Sequence, residues 1–235
     1  MNYTEIQEQQ DIIMKEIKSL KNDNCTPIPD GIIDVEKYVN SDLKILWINK
    51  EVNSENDNHC WSLIDVIADM KTRFVAKDGW SKTFSPLTYV VYGILNNLVW
   101  DDIPNTNDKP EIAEVLQNIA YINLKKLPGK EIAVNSELKL HLSKNDIVKK
   151  QIKLFAPDVI ICGGTFDLAD GILEEIYDGN YQKMKDKTEN KMKFYYDDNL
   201  MIVDAYHPSR PPMKQQIYCD TIIENVIKWK NDKVI

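Results

Sequence analysis

Leu200-Met201-Ile202-Val203-Asp204-Ala205-Tyr206-His207-Pro208-Ser209-Arg210 is the stretch on which the reading of this chain turns. An apolar run suited to a strand buried on both faces leads into a His-Pro-Ser turn, which puts a histidine on the loop at the strand's carboxyl end. Ligands of open α/β sheets collect outside such ends. Three earlier apolar runs finish in unusual polar residues in the same way. Ile45-Leu46-Trp47-Ile48 leads to Asn49-Lys50-Glu51, Ile119-Ala120-Tyr121-Ile122 to Asn123-Leu124-Lys125-Lys126, and Asp158-Val159-Ile160-Ile161 to Cys162 and then Gly163-Gly164-Thr165. Four ends of this kind can converge on one crevice.

Between these runs the apolar residues recur at helical spacing. Residues 3 to 22 carry Ile6, Ile13, Ile17 and Leu20, and further helical patterns cover 61 to 74, 87 to 100, 146 to 155 and 215 to 229. Strands alternating with helices predict an α/β fold, a three-layer α/β/α sandwich around a central four-stranded, mainly parallel sheet. A chain of 235 residues fits one such domain. Residues 1–235 are therefore expected to form a single unit, with 1–30 an N-terminal helical extension packed on it, and the protein is expected to be a monomer.

A net charge of -8 and a pI near 5.0 argue against a generic nucleic-acid coat, although a local basic patch remains compatible with them. Lys50, Lys125, Lys126 and Arg210 crowd the proposed crevice mouth and could form that patch. The run from Tyr181 to Lys193, with Lys183, Lys185, Lys187, Lys191 and Lys193, is a second basic candidate or simply a surface loop. Cys25, Cys60, Cys162 and Cys219 are scattered without CxxC spacing and read as reduced thiols. Neither a signal peptide nor a run of about 18 apolar residues occurs, so a cytoplasmic protein without a membrane partner is expected. HExxH, GxSxG, GxGxxG and Asp-cluster motifs are lacking, and the expectation is no metal and no cofactor. Gly163-Gly164-Thr165 could cradle a phosphate, but reads better as glycine for close packing.

Taken in order, the four strand ends resemble the uracil-DNA glycosylase superfamily, whose members share a four-stranded parallel α/β/α sandwich. There, a first strand ends in a GQDPY-like loop, a second in Asn, a third in Gly and a fourth in His-Pro-Ser. The matching stretches here are Ile48-Asn49-Lys50-Glu51-Val52-Asn53, Tyr121-Ile122-Asn123, Ile160-Ile161-Cys162-Gly163 and His207-Pro208-Ser209, so the likeness spans residues 42 to 230. The first motif departs most, lacking both its Gly and its Pro.

The resemblance implies a monofunctional, metal-free DNA glycosylase that flips a base out of double- or single-stranded DNA and leaves an abasic site. Breaking an N-glycosidic bond puts positive charge on the sugar and negative charge on the leaving base, so a carboxylate and a donor are both wanted. By the likeness, Glu51 takes the place of the residue that orients water and His207 that of the residue polarising the base. Asn123 would read the base edge. Asn49, Asn53, Trp61, Gly163 and Ser209 would contact substrate, and Lys50, Lys125, Lys126 and Arg210 the DNA backbone. The residues alone leave other roles open: a solvated loop carboxylate for Glu51, a rigid turn for His207, an Asx turn for Asn123, and core packing for Trp61, Trp80 and Phe84.

Asn53 falls where the family carries an aromatic wall against pyrimidine C5. The expected substrate is then a 5-modified pyrimidine, such as the hydroxymethylated or glucosylated cytosine of phage DNA, or else uracil, in an antiphage defence or DNA repair role. The alternatives are a noncatalytic nucleic-acid-binding member of the superfamily and a hydrolase of small nucleosides.

Overall fold

The computed structural model describes residues 1–20, 25–54, 61–130, 132–179, 181–183 and 191–232. Among them, seven strands form one mixed sheet: Gly31–Ile32 (β1), Ile45–Asn49 (β2), Ala120–Asn123 (β3), Val159–Gly163 (β4), Gln182–Lys183 (β5), Lys193–Tyr196 (β6) and Met201–Ala205 (β7). Their order is β1-β3-β2-β4-β7-β6-β5. The four apolar runs are the middle strands, and β3, β2, β4 and β7 are parallel neighbours. The sheet is wider than the expected four strands, however, because β1 pairs antiparallel outside β3, while β6 and then β5 add antiparallel strands outside β7.

Every residue of β2, β3 and β4 is buried, which is why these strands read as unbroken apolar runs. Alternate side chains serve opposite faces. Ile45, Trp47, Tyr121, Ile161 and Val203 join one core, beneath Leu63–Ala68 (α3), Met70–Ala76 (α4), Ser81–Asn96 (α5) and a helix named below. Leu46, Ile48, Ile122, Ile160 and Ile202 join the other, on the opposite face. That second core is covered by Tyr3–Lys18 and Val35–Val39, and by Asn135–Lys144, Ile147–Phe155 and Phe166–Tyr177. In chain order the first two are α1 and α2, the last three α6, α7 and α8, and the C-terminal Gln215–Asp232, α9, lies over the first core.

Local sequence explains the helix ends. Asn2 caps α1, accepting from Glu5 N–H, while the Glu5 side chain accepts from Asn2 N–H in a reciprocal capping box. Gln10 on the buried face of α1 clasps the edge strand: its amide donates to Ile32 O at 3.1 Å and accepts Ile32 N–H at 2.7 Å. The N-terminal helix therefore also satisfies the backbone of β1. The single helix expected over 61 to 74 is two, because α3 ends at Asp69 (φ -97°, ψ 21°) and α4 begins beyond it. Its apolar stripe, Leu63, Ile67, Met70 and Phe74, continues across the break, so periodicity cannot see it.

The chain crosses from β2 to β3 over the first core and returns from β3 to β4, past β2, over the second. Adjacent connections leaving on opposite faces make the carboxyl end of β2 a topological switch point. Among the described residues no helix is long and apolar enough to cross a membrane, and no group of three His, Cys, Asp or Glu residues could hold a metal ion.

Candidate active site

The four strand ends stand side by side. Asn49 is in register with Asn123 on one side, and Gly163 with Ala205 on the other. The loops beyond them stay in contact. Leu124 and Lys125 donate their N–H groups to Asn49 O and Lys50 O at 2.9 Å each, and Gly129 donates to Val52 O at 2.8 Å. Across the sheet, Gly164 donates to Ala205 O at 2.7 Å, and Thr165 Oγ1 donates to Ile48 O at 2.9 Å. Neighbouring strands lie about 4.8 Å apart, so β2 and β7, separated by β4, have axes roughly 10 Å apart. A nucleoside is of that width.

His207 stands at the β7 end, half-buried. Its Nδ1 receives the Ser209 backbone N–H at 3.2 Å, with Ser209 Oγ at 2.8 Å. A backbone N–H can only donate, so Nδ1 carries no proton and the neutral ring presents Nε2–H. Burial, helped by the nearby cations Lys50 and Arg210, lowers the imidazole pKa from 6.5 to about 4. The ring is a neutral donor at physiological pH. Ser209, expected at the substrate, instead orients this ring.

Glu51 leaves β2 at the switch point. Its carboxylate is buried, with the side chain 4% exposed, and pairs with Lys125 Nζ at 2.7 Å. Gly129 packs against it so closely that a Cβ there would come 2.1 Å from Glu51 Cδ. Lys125 also pairs with Glu137 at 3.1 Å. Burial works against its charge, but the carboxylates of Glu51 and Glu137 prevail and hold the ammonium above the ordinary lysine pKa; the contact to Glu51 is an ion pair, because Glu51 Oε2 has no hydrogen bond of normal geometry among the described residues.

Asn123 is 3% exposed, and its amide Oδ1 is buried without a donor among the described residues. Its backbone, by contrast, is firmly held. Asn123 N–H donates to Asp30 Oδ2 at 2.8 Å, and its carbonyl accepts from Lys126 Nζ at 2.6 Å. Lys126 Nζ also lies 2.7 Å from Asp30 Oδ1, and Gln151 of α7 donates to the same carboxylate at 2.9 Å. This buried set braces the end of β3.

The geometry corrects several expected contacts. Lys126 is not available for the expected backbone contact: it is 1% exposed and its ammonium is saturated by Asp30 and Asn123. Lys125 is largely buried between two carboxylates, which compensate its charge and weigh against the expected phosphate contact. Asn49 does not edge a pocket, because its Oδ1 accepts from Trp47 Nε1 at 3.3 Å and its Nδ2 donates to the Tyr121 hydroxyl at 2.8 Å. Gly163 is required by that arrangement rather than by a ligand, since a Cβ there would stand 2.1 Å from Asn49 Oδ1. Lys193 of the second basic run pairs with Asp204 at 3.3 Å, while Lys185 and Lys187 lie outside the described residues, as does Cys60.

The remaining expected residues keep some exposure. Asn53 is exposed, bridged through its backbone to Gly129. Lys50 is half-buried, donating to Asn135 Oδ1 at 3.2 Å, and Arg210 is exposed beyond the turn. Trp61 is half-buried and meets Trp80 edge-on, with ring centroids 6.0 Å apart. From Trp80 the contacts continue through Phe84 to Tyr121, so one aromatic row leads from Trp61 to Asn49. Asp30 and Gly129 are site neighbours that no motif in the sequence singles out. A carboxylate within Ile28-Pro29-Asp30-Gly31-Ile32-Ile33, apolar on both sides, is the signal that could have marked Asp30 as interior.

A scan against protein-family models and a search of curated proteins each give no match to this chain.

Proposed function

We propose that this chain is a monofunctional DNA glycosylase with a sandwich resembling that of the uracil-DNA glycosylase superfamily. One observation carries the reading. At the carboxyl edge of four parallel strands, a histidine held neutral with Nε2–H as its donor shares the row with an asparagine whose buried amide oxygen has no partner among the described residues. A buried polar atom without a partner is costly, and the edge of a flipped base would supply the missing donor.

In this reading a nucleotide enters between the β2 and β7 loops. His207 Nε2–H donates to a carbonyl oxygen of the base, where negative charge grows as the C1′–N bond breaks and its electron pair leaves with the base. The Glu51 carboxylate orients a water and stabilises the cationic sugar. The water oxygen bonds to C1′, and its proton passes to the carboxylate. Asn123 reads the base edge, and the exposed part of Trp61 offers a stacking surface.

The favoured substrate is a 5-modified pyrimidine. Asn53 is exposed and polar where the resemblance implies an aromatic wall, so a hydroxymethyl or glucosyl group would meet no barrier there. A role against modified foreign DNA follows from such a preference, whereas excision of uracil would point to repair. A second reading, hydrolysis of small nucleosides, is favoured by the burial of Lys126 and the double pairing of Lys125, which remove two of four cations from the proposed phosphate contacts.

The test incubates the protein with duplex DNA, single-stranded DNA and free nucleosides, followed by alkaline cleavage of abasic sites and chromatography of released bases. Strand scission supports the glycosylase. Release from nucleosides alone supports the second reading, and DNA binding without release would leave a noncatalytic binder.

A further inference from the structure

The pairing of Lys125 with Glu51 is too enclosed to be a surface contact. The Lys125 side chain is 11% exposed and that of Glu51 4%, with 2.7 Å between their charged atoms. A carboxylate so buried is costly unless a cation compensates it. The two backbones are also tied, since Lys125 N–H donates to Lys50 O, the carbonyl of the residue before Glu51. On a further side Gly129 closes against the carboxylate, where an added Cβ would lie 2.3 Å from both Oε1 and Oε2. The carboxylate is therefore clamped between an ammonium and a bare backbone.

The ammonium is itself fixed. Glu137 of α6 takes a second contact at 3.1 Å, and both Cys25 of the N-terminal segment and His141 of α6 lie close enough to feel its charge. His141 adds no positive charge at neutral pH, because burial and the cations Lys126, Lys125 and Lys144 lower its pKa to about 4. Its Nε2 accepts the Lys126 backbone N–H at 3.2 Å, holding the chain just beyond Lys125.

We infer that Lys125 is a positioning residue for Glu51: it holds the carboxylate in one place against Gly129, and Glu137 holds Lys125. The inference rests on the reading of Glu51 as the carboxylate that acts on the sugar and its water. A glutamate has one more rotatable bond than an aspartate, so a carboxylate on this longer arm needs an external hold to stay within reach of a reacting atom. It also gives Lys125 a role that the sequence alone assigns to phosphate contact, and the two roles have different kinetic signatures. A lysine on a phosphate strengthens DNA binding and steepens its salt dependence. A lysine that positions a catalytic carboxylate alters the chemical step and leaves binding alone.

The experiment measures single-turnover base release, DNA affinity and the salt slope of binding for wild type, Lys125→Met, Lys125→Arg and Glu137→Gln. Lys125→Met should slow release on the order of 10- to 100-fold, the scale seen when a group supporting a catalytic ligand is lost, with affinity and salt slope unchanged. Lys125→Arg should recover most of the rate, and Glu137→Gln should cost only a few-fold. A Lys125→Met protein with wild-type release and a flatter salt slope overturns the inference in favour of phosphate contact. Equal losses in the Met and Arg variants, with matching loss of stability, overturn it in favour of a purely structural lysine.

A measurement without turnover keeps the two readings separable. In side-chain NMR of the lysine ammonium groups, Glu51→Gln should lower the pH at which Lys125 titrates, because the negative charge opposite the ammonium is lost. Absence of that change means the pair does not form and overturns the inference. Wild-type protein inactive on every substrate overturns the reading of Glu51 instead, whatever the NMR shows.

Discussion

Ser209 donates its backbone N–H to Nδ1 of His207 across 3.2 Å, and a two-residue turn thereby decides which ring nitrogen keeps the proton. Pro208 between them fixes the backbone that brings the donor round. The consequence is a spectroscopic one. Nitrogen NMR of His207 at neutral pH should show a protonated Nε2 and an unprotonated Nδ1, and the ring should stay neutral until the pH approaches about 4. A ring protonated on both nitrogens at pH near 6 would contradict the assignment.

The same shift makes a stability prediction, with its sign set by linkage. The folded imidazole titrates near 4 and the unfolded one at 6.5, so between those values the unfolded chain takes up a proton that the folded chain refuses. Stability is complete above pH 6.5 and falls as the pH drops towards 4. The shift corresponds to about 3 kcal/mol at most. In urea unfolding, a His207→Gln variant should lose less stability than wild type on going from neutral pH to the acidic end of that window. Identical losses in the two proteins would show that His207 is not buried in its neutral form.

Lys126 and Asp30 form an ion pair inside the protein, and breaking it from one side strands a charge. Lys126→Met should destabilise by about 3 to 5 kcal/mol, the range for an uncompensated buried carboxylate, while leaving the salt dependence of DNA binding alone. Denaturant melts and binding titrations check both halves. Full stability with weakened DNA binding would return Lys126 to the surface.

Lys125 and Lys126 show where sequence reading stops. Two adjacent lysines after a strand look equivalent, yet one pairs with Glu51 and the other with Asp30, whose position 96 residues away no local pattern reveals. The four central strands were legible because burial on both faces writes itself as an apolar run. The outer strands were not: β1 has two residues, and Lys193-Phe194-Tyr195-Tyr196 acquires its strand character from pairing with β7. The early start of α5 at Ser81 was hidden by Pro86, which reads as a break but sits inside the helix. At the site, the His-Pro-Ser turn and Asn123 could be picked out as residue types at strand ends. The engagement of Asn49 with Trp47 and Tyr121, and of Glu51 with Lys125 and Gly129, depends on side-chain directions that only the fold supplies.

Gly163 tests the packing of the central strand ends. An alanine Cβ would meet Asn49 Oδ1 at 2.1 Å and Trp47 Nε1 at 3.0 Å, so Gly163→Ala must displace the Asn49 amide from its two hydrogen bonds. Overpacking of this kind costs about 1 to 3 kcal/mol. The thermal midpoint should fall, and restoring room with an added Asn49→Ala substitution should recover part of the loss. An unchanged midpoint in Gly163→Ala would mean that the Asn49 side chain is not where it is placed here.

If DNA is the substrate, its backbone must be met by cations other than Lys126 and Lys125. Lys50 and Arg210, which both lie near enough to His207 to lower its pKa, are placed to do so. Neutralising each should reduce the salt slope of binding by about 1, similarly for every sequence. A slope that survives both substitutions would move the DNA path away from the His207 turn.

Joint action of Glu51 and His207 on one N-glycosidic bond is probed by single-turnover base release by wild type, Glu51→Gln, His207→Ala and Asn53→Tyr. The substrates are DNAs carrying uracil, thymine, cytosine, 5-hydroxymethylcytosine or its glucosylated form. Wild type should release a 5-modified cytosine, with a fall on the order of 100-fold or more in the Glu51 and His207 variants and selective loss of the modified substrate in Asn53→Tyr. Wild-type rates in both Glu51→Gln and His207→Ala, or no base released from any of the five DNAs, would contradict that joint action.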